Sequence, residues 1–180
     1  MPDPQQQQQL FDATNQAMAQ YPWLKRMGVP LKLTIGQGPY MSESHDPKAD
    51  DNPFPGNFTV ELRSPKLVNH PETWPAALGR EGMDYMSQHD PTYQSVAKQF
   101  RQMMTPEQLQ ISRNRYQKEG DKRSFPDWLR IAETQEWIGG HVFDMPGWRN
   151  APYTAEQRKL LAGLKDYMWQ GQTPTPVNVP

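Results

Sequence analysis

Two short segments in the first third of the chain alternate apolar with polar residues, and this period predicts β-strands. Residues 30–35 read Pro-Leu-Lys-Leu-Thr-Ile and residues 58–62 read Phe-Thr-Val-Glu-Leu. Successive side chains of a strand point to opposite faces of its sheet, so this alternation is typical of a strand that is buried on one face. A sheet of only two strands is marginally stable in water, and we therefore expect a third strand near residues 38–42.

Most of the remaining chain has apolar residues at helical spacing, preceded by residues that cap helices. Asp3 and Pro4 suit the start of a helix through residue 20, in which Leu10, Ala13 and Ala17 form the apolar stripe. The same signs predict five more helices, at about residues 73–88, 90–104, 105–120, 124–143 and 154–170. Two of them begin with Thr-x-x-Gln, at residues 105–108 and 154–157, which is the form of a capping box.

These elements predict a mostly helical α+β domain, with a small antiparallel sheet packed against four to five helices. We expect a glutamine-rich helical extension over residues 1–28, a single α+β domain over 29–170, and an extended proline-rich arm over 171–180. Residues 41–57 combine three prolines with acidic residues and few apolar ones, which predicts a long loop.

The composition limits the classes of protein to which the chain can belong. Leu, Ile, Val and Phe account for 29 of the 180 residues, which is about 16% and below the roughly 20% expected of a chain that buries a core. Met, Trp and Tyr add 23 large apolar side chains, so a core built on aromatic residues and Met is expected. No stretch approaches the roughly 20 apolar residues of a membrane-spanning helix.

Charge and cysteine content exclude further classes. The net charge of −1 argues against a strongly basic protein that coats nucleic acid, and the absence of cysteine excludes disulfides and thiolate metal sites. The N-terminal sequence lacks the basic and apolar regions of a secretory signal, so we expect synthesis in the cytoplasm.

The segment that follows the second predicted strand carries the most specific pattern in the sequence. A capped helix contains Gly-Arg-Glu-Gly-Met-Asp-Tyr-Met at residues 79–86. This strand-then-helix order resembles the zinc metallopeptidases of the zincin type, in which the helix bears His-Glu-x-x-His. In that motif two histidines on one helix face bind Zn²⁺, and the glutamate activates the metal-bound water.

The chain departs from the zincin pattern at the metal ligands themselves. Arg80 occupies the first histidine position, Glu81 the glutamate position and Asp84 the second histidine position. An arginine has no lone pair to give to a metal, so the resemblance implies an inactive domain in which Arg80 and Asp84 form an ion pair instead. The resemblance further implies a third ligand position on a later helix, at Glu133 or Glu136, where the carboxylate is expected to bind the Arg80 guanidinium without metal.

Other candidate sites have weaker support in the sequence. The four histidines, at positions 45, 70, 89 and 141, match no metal-ligand spacing, and we expect His141 to be a partly buried structural residue. Residues 98–130 hold eight basic residues against four acidic ones, which allows a contact with nucleic acid phosphates but fits a solvated charged face better.

The sequence therefore favours a non-catalytic structural or assembly protein without bound metal or cofactor, a pseudoenzyme whose partners are other proteins in a larger assembly such as a phage virion. Neither membrane nor nucleic acid is an expected partner. The interface is expected in the extended C-terminal arm, which cannot form a helix or a central strand; its candidate residues are Thr173, Pro174, Pro176, Val177 and Val179. Two alternatives stay open. One is a divergent metal-dependent hydrolase that uses Glu81, Asp84, Glu133 or Glu136 and a nearby histidine, and the other is a protein that contacts nucleic acid weakly through residues 98–130.

Overall fold

The computed structural model describes residues 2–28, 31–36, 42–45 and 57–174, with residues 42–45 described by their backbone alone. The contacts between residues divide the chain into two compact units, Met1–Tyr85 and Met86–Pro180. The sequence predicted one domain over residues 29–170, whereas the contacts place the unit boundary between Tyr85 and Met86. Each unit is described in turn.

The first unit contains a three-stranded sheet of strands β1 (Leu31–Ile35), β2 (Ser42–His45) and β3 (Phe58–Leu62), in the spatial order β1-β3-β2. β1 pairs with β3 in parallel, with Leu33 opposite Val60, and β2 pairs with β3 in antiparallel. The prediction of an antiparallel sheet is therefore wrong for the β1–β3 pair, and the sheet is mixed. The expected third strand exists but begins at Ser42, and residues 38–41 lie outside the described part of the chain.

The central position of β3 explains why the sheet is mixed. Phe58, Val60 and Leu62 on one face of β3 are buried, and so is Thr59 on the other face. Alternation along a single strand shows that one face is apolar, but it does not fix which neighbours that strand pairs with or in which direction. β3 lies in the middle, where both of its edges are paired, and it is the more deeply buried of β1 and β3.

Helix α1 (Pro4–Gln20) of the first unit begins where its capping residue predicted. It starts with a complete capping box between Asp3 and Gln6, and it buries Leu10, Ala13 and Ala17. Its bounds and its buried stripe agree with the sequence. The unit also contains α2 (Pro22–Arg26), α3 (Pro65–Val68), a 3₁₀ turn (Pro71–Thr73) and most of α4 (Trp74–His89).

The second unit is helical. Its elements are α5 (Pro91–Gln102), α6 (Pro106–Glu119), α7 (Phe125–Ala132), a π-helical segment (Glu133–Ile138), α8 (Gly139–Val142), a 3₁₀ turn (Pro146–Trp148) and α9 (Ala155–Gln170). The segments α7, π and α8 follow one another without a break and together cover the helix predicted over residues 124–143. The apolar residues of the unit that are buried include Phe100, Trp128, Trp137 and Leu161, so aromatic side chains supply much of its core as expected.

The two predicted capping boxes form, and they bind each other. Thr105 caps α6 together with Gln108, and Thr154 caps α9 together with Gln157. Both glutamine side chains are fully buried, and each amide nitrogen donates to the amide oxygen of the other, at 2.6 and 2.8 Å. The two nitrogens also donate to the Pro152 and Met103 carbonyls. Every donor and acceptor position of the two amides is thereby used, which removes the cost of burying them.

Taken by class, the structure confirms a mostly helical α+β protein. None of the helices in the described part of the chain is both long enough and apolar enough to cross a membrane.

Candidate functional site

Helix α4 carries the three residues that correspond to the zincin motif. Arg80 is exposed, whereas Glu81 and Asp84 are half-buried, and both acidic residues take part in interactions within the protein. The buried positions of this part of the helix are Leu78 and Met83. Arg80 therefore points away from the core of its unit, as a charged residue does on an ordinary amphipathic helix, and its predicted ion pair with Asp84 stays a prediction.

The glycines beside these residues have a packing role that the sequence did not reveal. A Cβ atom added to Gly79 would lie 2.6 Å from the ring of Tyr21, and one added to Gly82 would lie 2.1 Å from Cδ2 of Leu24. Residues three apart lie on the same side of a helix. Gly79 and Gly82 thus form a flat face on α4, and the side chains of Tyr21 and Leu24 pack against it. Close helix packing gives a sufficient physical reason for glycines at both positions.

The later acidic pair of the prediction, Glu133 and Glu136, lies in the π-helical segment. The wider π turn is rare, and it is found mostly as a local insertion that is often associated with functional sites. The Glu133 side chain is 1% exposed, and its two carboxylate oxygens accept hydrogen bonds from Nε and Nη2 of Arg101 at 3.0 and 3.1 Å. Such a two-pronged pair fits the planar guanidinium and holds the carboxylate in one orientation.

Burial and charge act on Glu133 in opposite directions. Loss of water around the carboxylate raises the pKa of Glu133 above its ordinary value, while the hydrogen bonds and charge of Arg101, and the charge of Arg130, lower it. The net direction is upward, so desolvation is the larger effect. The pair is consequently a costly one, because the attraction of the guanidinium does not fully offset the removal of the carboxylate from water.

Hydrogen bonds and a further ion pair connect the rest of the π-helical segment to neighbouring helices. The Tyr93 hydroxyl donates to Oγ1 of Thr134 at 2.8 Å, and the Trp137 indole nitrogen donates to Oγ of Ser112 at 2.9 Å. Both contacts are buried. Glu136 binds Arg115 at 2.8 Å. These contacts connect the segment to α5 and α6, and they satisfy polar groups that would be expensive to bury alone.

The arginines that bind Glu133 and Glu136 in the described contacts belong to the second unit, and the contact of Arg80 with these carboxylates stays a prediction. The sequence assigned Arg80 as the partner of Glu133 or Glu136, whereas Arg101 binds Glu133 and Arg115 binds Glu136. Sequence analysis missed Arg101, although its position four residues after the buried Ala97 places it beside the apolar stripe of α5. Among the residues that the structure describes, no group of three or more metal-ligand side chains lies together.

Three of the histidines have described surroundings. His70 binds the exposed Glu72 at 2.9 Å, and His89 is the last residue of α4. The His141 ring lies 5.1 Å from the ring of Tyr153, and it is partly buried. Burial, followed by the charges of Arg158 and Lys165, lowers the pKa of His141. His45 belongs to β2, for which the structure describes the backbone.

The predicted C-terminal interface is described only at its start. Thr173 and Pro174 follow α9 in irregular backbone, and a Cβ atom added to Gly163 would lie 3.7 Å from Cβ of Pro174. Pro176, Val177 and Val179 lie outside the described residues.

Comparison of the chain with protein-family models, with curated proteins and with solved structures found no match in any of the three.

Proposed function

We propose that this chain is a non-catalytic component of a larger protein assembly, and that it binds neighbouring proteins through its two ends. The observation that carries the proposal is the Phe11 side chain, which is 63% exposed on α1. The opposite face of that helix is packed within the first unit and its N-terminus is fully capped. A fixed helix that holds a large aromatic ring in water offers a partner protein an apolar side chain of the kind enriched at interfaces.

The acidic residues of the zincin resemblance support the non-catalytic part of the proposal. A hydrolase of that type would need carboxylates that face a metal or a substrate. Glu133 and Glu136 are instead bound by arginines of their own unit, and Gly79 and Gly82 serve the packing of α2 on α4. The inactive zincin-like domain and the virion setting remain parts of this proposal.

The proposal is tested by photo-crosslinking in cells that make the protein. Benzoylphenylalanine is placed at Phe11 in one variant and at Pro174 in a second, and irradiated cells are examined by immunoblot and mass spectrometry. We expect discrete products of higher mass that contain a second protein. A control variant carries the same group at Gln117, which is exposed on α6 away from both ends.

Two outcomes would count against this function. Equal crosslinking from positions 11, 174 and 117 would mean that the ends have no special role in binding. Stoichiometric zinc in the purified protein, lost together with a hydrolytic activity on chelation, would instead establish the alternative of a metal-dependent hydrolase. Deletion of residues 173–180 should weaken the crosslinked assembly and leave the melting temperature nearly unchanged, because these residues follow the last helix.

A further inference from the structure

Helix α9 carries two basic residues and an aromatic residue along one side. At about 100° per residue, positions 158, 165 and 169 fall within about 40° of one another around the helix axis. We call Arg158, Lys165 and Trp169 the α9 basic stripe. The acidic residues of the helix, Glu156 and Asp166, lie outside this arc. The stripe therefore forms a positively charged line beside the buried face of α9.

The two cations of the stripe rest on aromatic rings. The Arg158 guanidinium lies 5.5 Å from the centre of the Tyr153 ring, and Nζ of Lys165 lies 5.5 Å from the centre of the Trp169 ring. Both basic side chains are exposed. Among the described residues, the ion pairs include neither Arg158 nor Lys165. Their charges are thus held in place by aromatic rings without being neutralised by a carboxylate.

Residues from the end of α8 lie beside the stripe. The ring of Phe143 lies 6.1 Å from that of Trp169, at an interplanar angle of 69°. His141 is close enough to Arg158 and Lys165 for both charges to lower its pKa, and Asp144 acts in the opposite direction. Asp144 is itself bound to Arg149 at 3.2 Å. Two positive charges therefore act on His141 against one negative charge, an arrangement that suits an anion.

The basic stretch at residues 98–130, which the sequence indicated, differs from the α9 basic stripe because some of its cations are paired. Three of its arginines are bound to carboxylates in the second unit: Arg101 to Glu133, Arg115 to Glu136 and Arg123 to Asp121. A cation that is already paired gains less from a phosphate, because the existing ion pair must first be broken. In the α9 basic stripe, by contrast, both cations lie over aromatic rings and neither is bound to a carboxylate of the described residues.

We propose that the α9 basic stripe, together with His141 and Phe143, binds single-stranded nucleic acid. Cations along a line track a phosphate backbone, and partly exposed aromatic side chains beside them, here Trp169 and Phe143, offer surfaces on which unpaired bases stack. Arg158 and Lys165 are two helical turns, about 10.5 Å, apart along the axis. That distance suits contacts to separate phosphates of one extended strand. The aromatic residues favour a strand with unpaired bases over an acidic peptide, which has no bases to stack.

The test measures fluorescence anisotropy of a labelled oligothymidylate of twenty nucleotides with the full-length protein. Two phosphate contacts predict a slope of about −1.4 for log affinity against log salt concentration, or about sevenfold weaker binding between 50 and 200 mM salt. The double variant Arg158→Gln/Lys165→Gln should bind at least fivefold more weakly at 50 mM salt and lose most of this slope. The matched control Lys118→Gln/Lys159→Gln removes the same charge from exposed positions of α6 and α9 outside the stripe, and should change the affinity less than twofold.

The pH dependence of oligothymidylate binding is a second measurement that is specific to this surface. A bound phosphate opposes the effect of Arg158 and Lys165 on His141 and so raises the pKa of that residue. Binding should therefore strengthen as the pH falls from 7.5 to 5.5, and His141→Gln should abolish this dependence.

The proposal is overturned by any of three results. These are absence of binding at 20 mM salt, equal loss of affinity in the stripe and control double variants, and binding of polyglutamate or duplex DNA as tight as that of the oligothymidylate. The last result would assign the surface to an acidic protein segment or to double-stranded DNA.

Discussion

The ion pair between Arg101 and Glu133 makes an unusual prediction, because its two partners differ greatly in exposure. The Arg101 side chain is 42% exposed and that of Glu133 is 1% exposed. Removal of the arginine leaves a buried carboxylate without its partner, whereas removal of the carboxylate leaves an arginine that water can reach. We therefore expect Arg101→Met to destabilise the protein much more than Glu133→Gln.

The magnitudes follow from the environment of each group. Breaking a buried pair so that one charge remains buried costs about 3–5 kcal/mol of unfolding free energy. We expect a cost of about 3 kcal/mol at neutral pH for Arg101→Met, since the Arg130 charge still acts on Glu133. Glu133→Gln keeps the shape of the side chain and removes a charge that is expensive to bury, so its cost should be about 1 kcal/mol or less. The double variant should resemble Glu133→Gln rather than the sum of the two.

The pH dependence of the unfolding free energy provides an independent test of the role of Glu133. The pKa of Glu133 is raised in the folded protein, above the ordinary value of 4.5, so the folded state binds more protons than the unfolded state in this range. The contribution of Glu133 to stability is then fully present below that ordinary value and is lost as the pH rises through the raised pKa. Arg101→Met raises the pKa further and should strengthen this trend, whereas Glu133→Gln should remove it.

The assay is urea unfolding followed by tryptophan fluorescence at several pH values between 4.5 and 7.5. Lys98→Met is the matched control, because it removes an exposed charge from the same helix and should change the stability by less than about 0.5 kcal/mol. The reasoning is refuted if Glu133→Gln costs as much as Arg101→Met at neutral pH. It is equally refuted if acidification restores no stability to Arg101→Met.

Two further substitutions probe the packing of the second unit. Gly140→Ala places a Cβ atom 2.4 Å from Cγ of Trp148, so the indole must move. The expected cost of about 1–3 kcal/mol in thermal unfolding exceeds the gain in helix propensity of about 1 kcal/mol. The control Gly147→Ala, whose Cβ atom meets no atom within 4 Å, should be nearly neutral. Gln157→Leu breaks the buried amide pair with Gln108 and leaves polar groups unsatisfied, which should cost about 2–3 kcal/mol; a loss below 0.5 kcal/mol in chemical unfolding would contradict the described hydrogen bonding.

Local structure was largely predictable, because its causes lie close together in the sequence. The helix starts at Asp3, Thr105 and Thr154 all form as capping boxes, and the period of two at residues 58–62 correctly gave β3. Each of these features depends on residues within three or four positions of one another. Side-chain caps and apolar periods act at that range, so they can be recognised before the fold is known.

The candidate site was less predictable, because the identity of an ion-pair partner depends on helix packing. Arg101 and Glu133 are 32 positions apart, and several arginines of similar local context compete for the same carboxylate. The π-helical turn that carries Glu133 has no simple sequence rule. The role of Gly82 also became visible only when Leu24 was found against it.

The sequence by itself determined where α1, α6 and α9 begin, which face of β3 is apolar, and that disulfides are absent. Only the tertiary structure decided the parallel pairing of β1 with β3, the mutual binding of Gln108 and Gln157, and the choice of Arg101 as the partner of Glu133. The physical reason is one of range. Caps and periods are satisfied within one or two turns of chain, whereas strand direction and buried polar pairs depend on which distant segments the collapse of the apolar faces brings together.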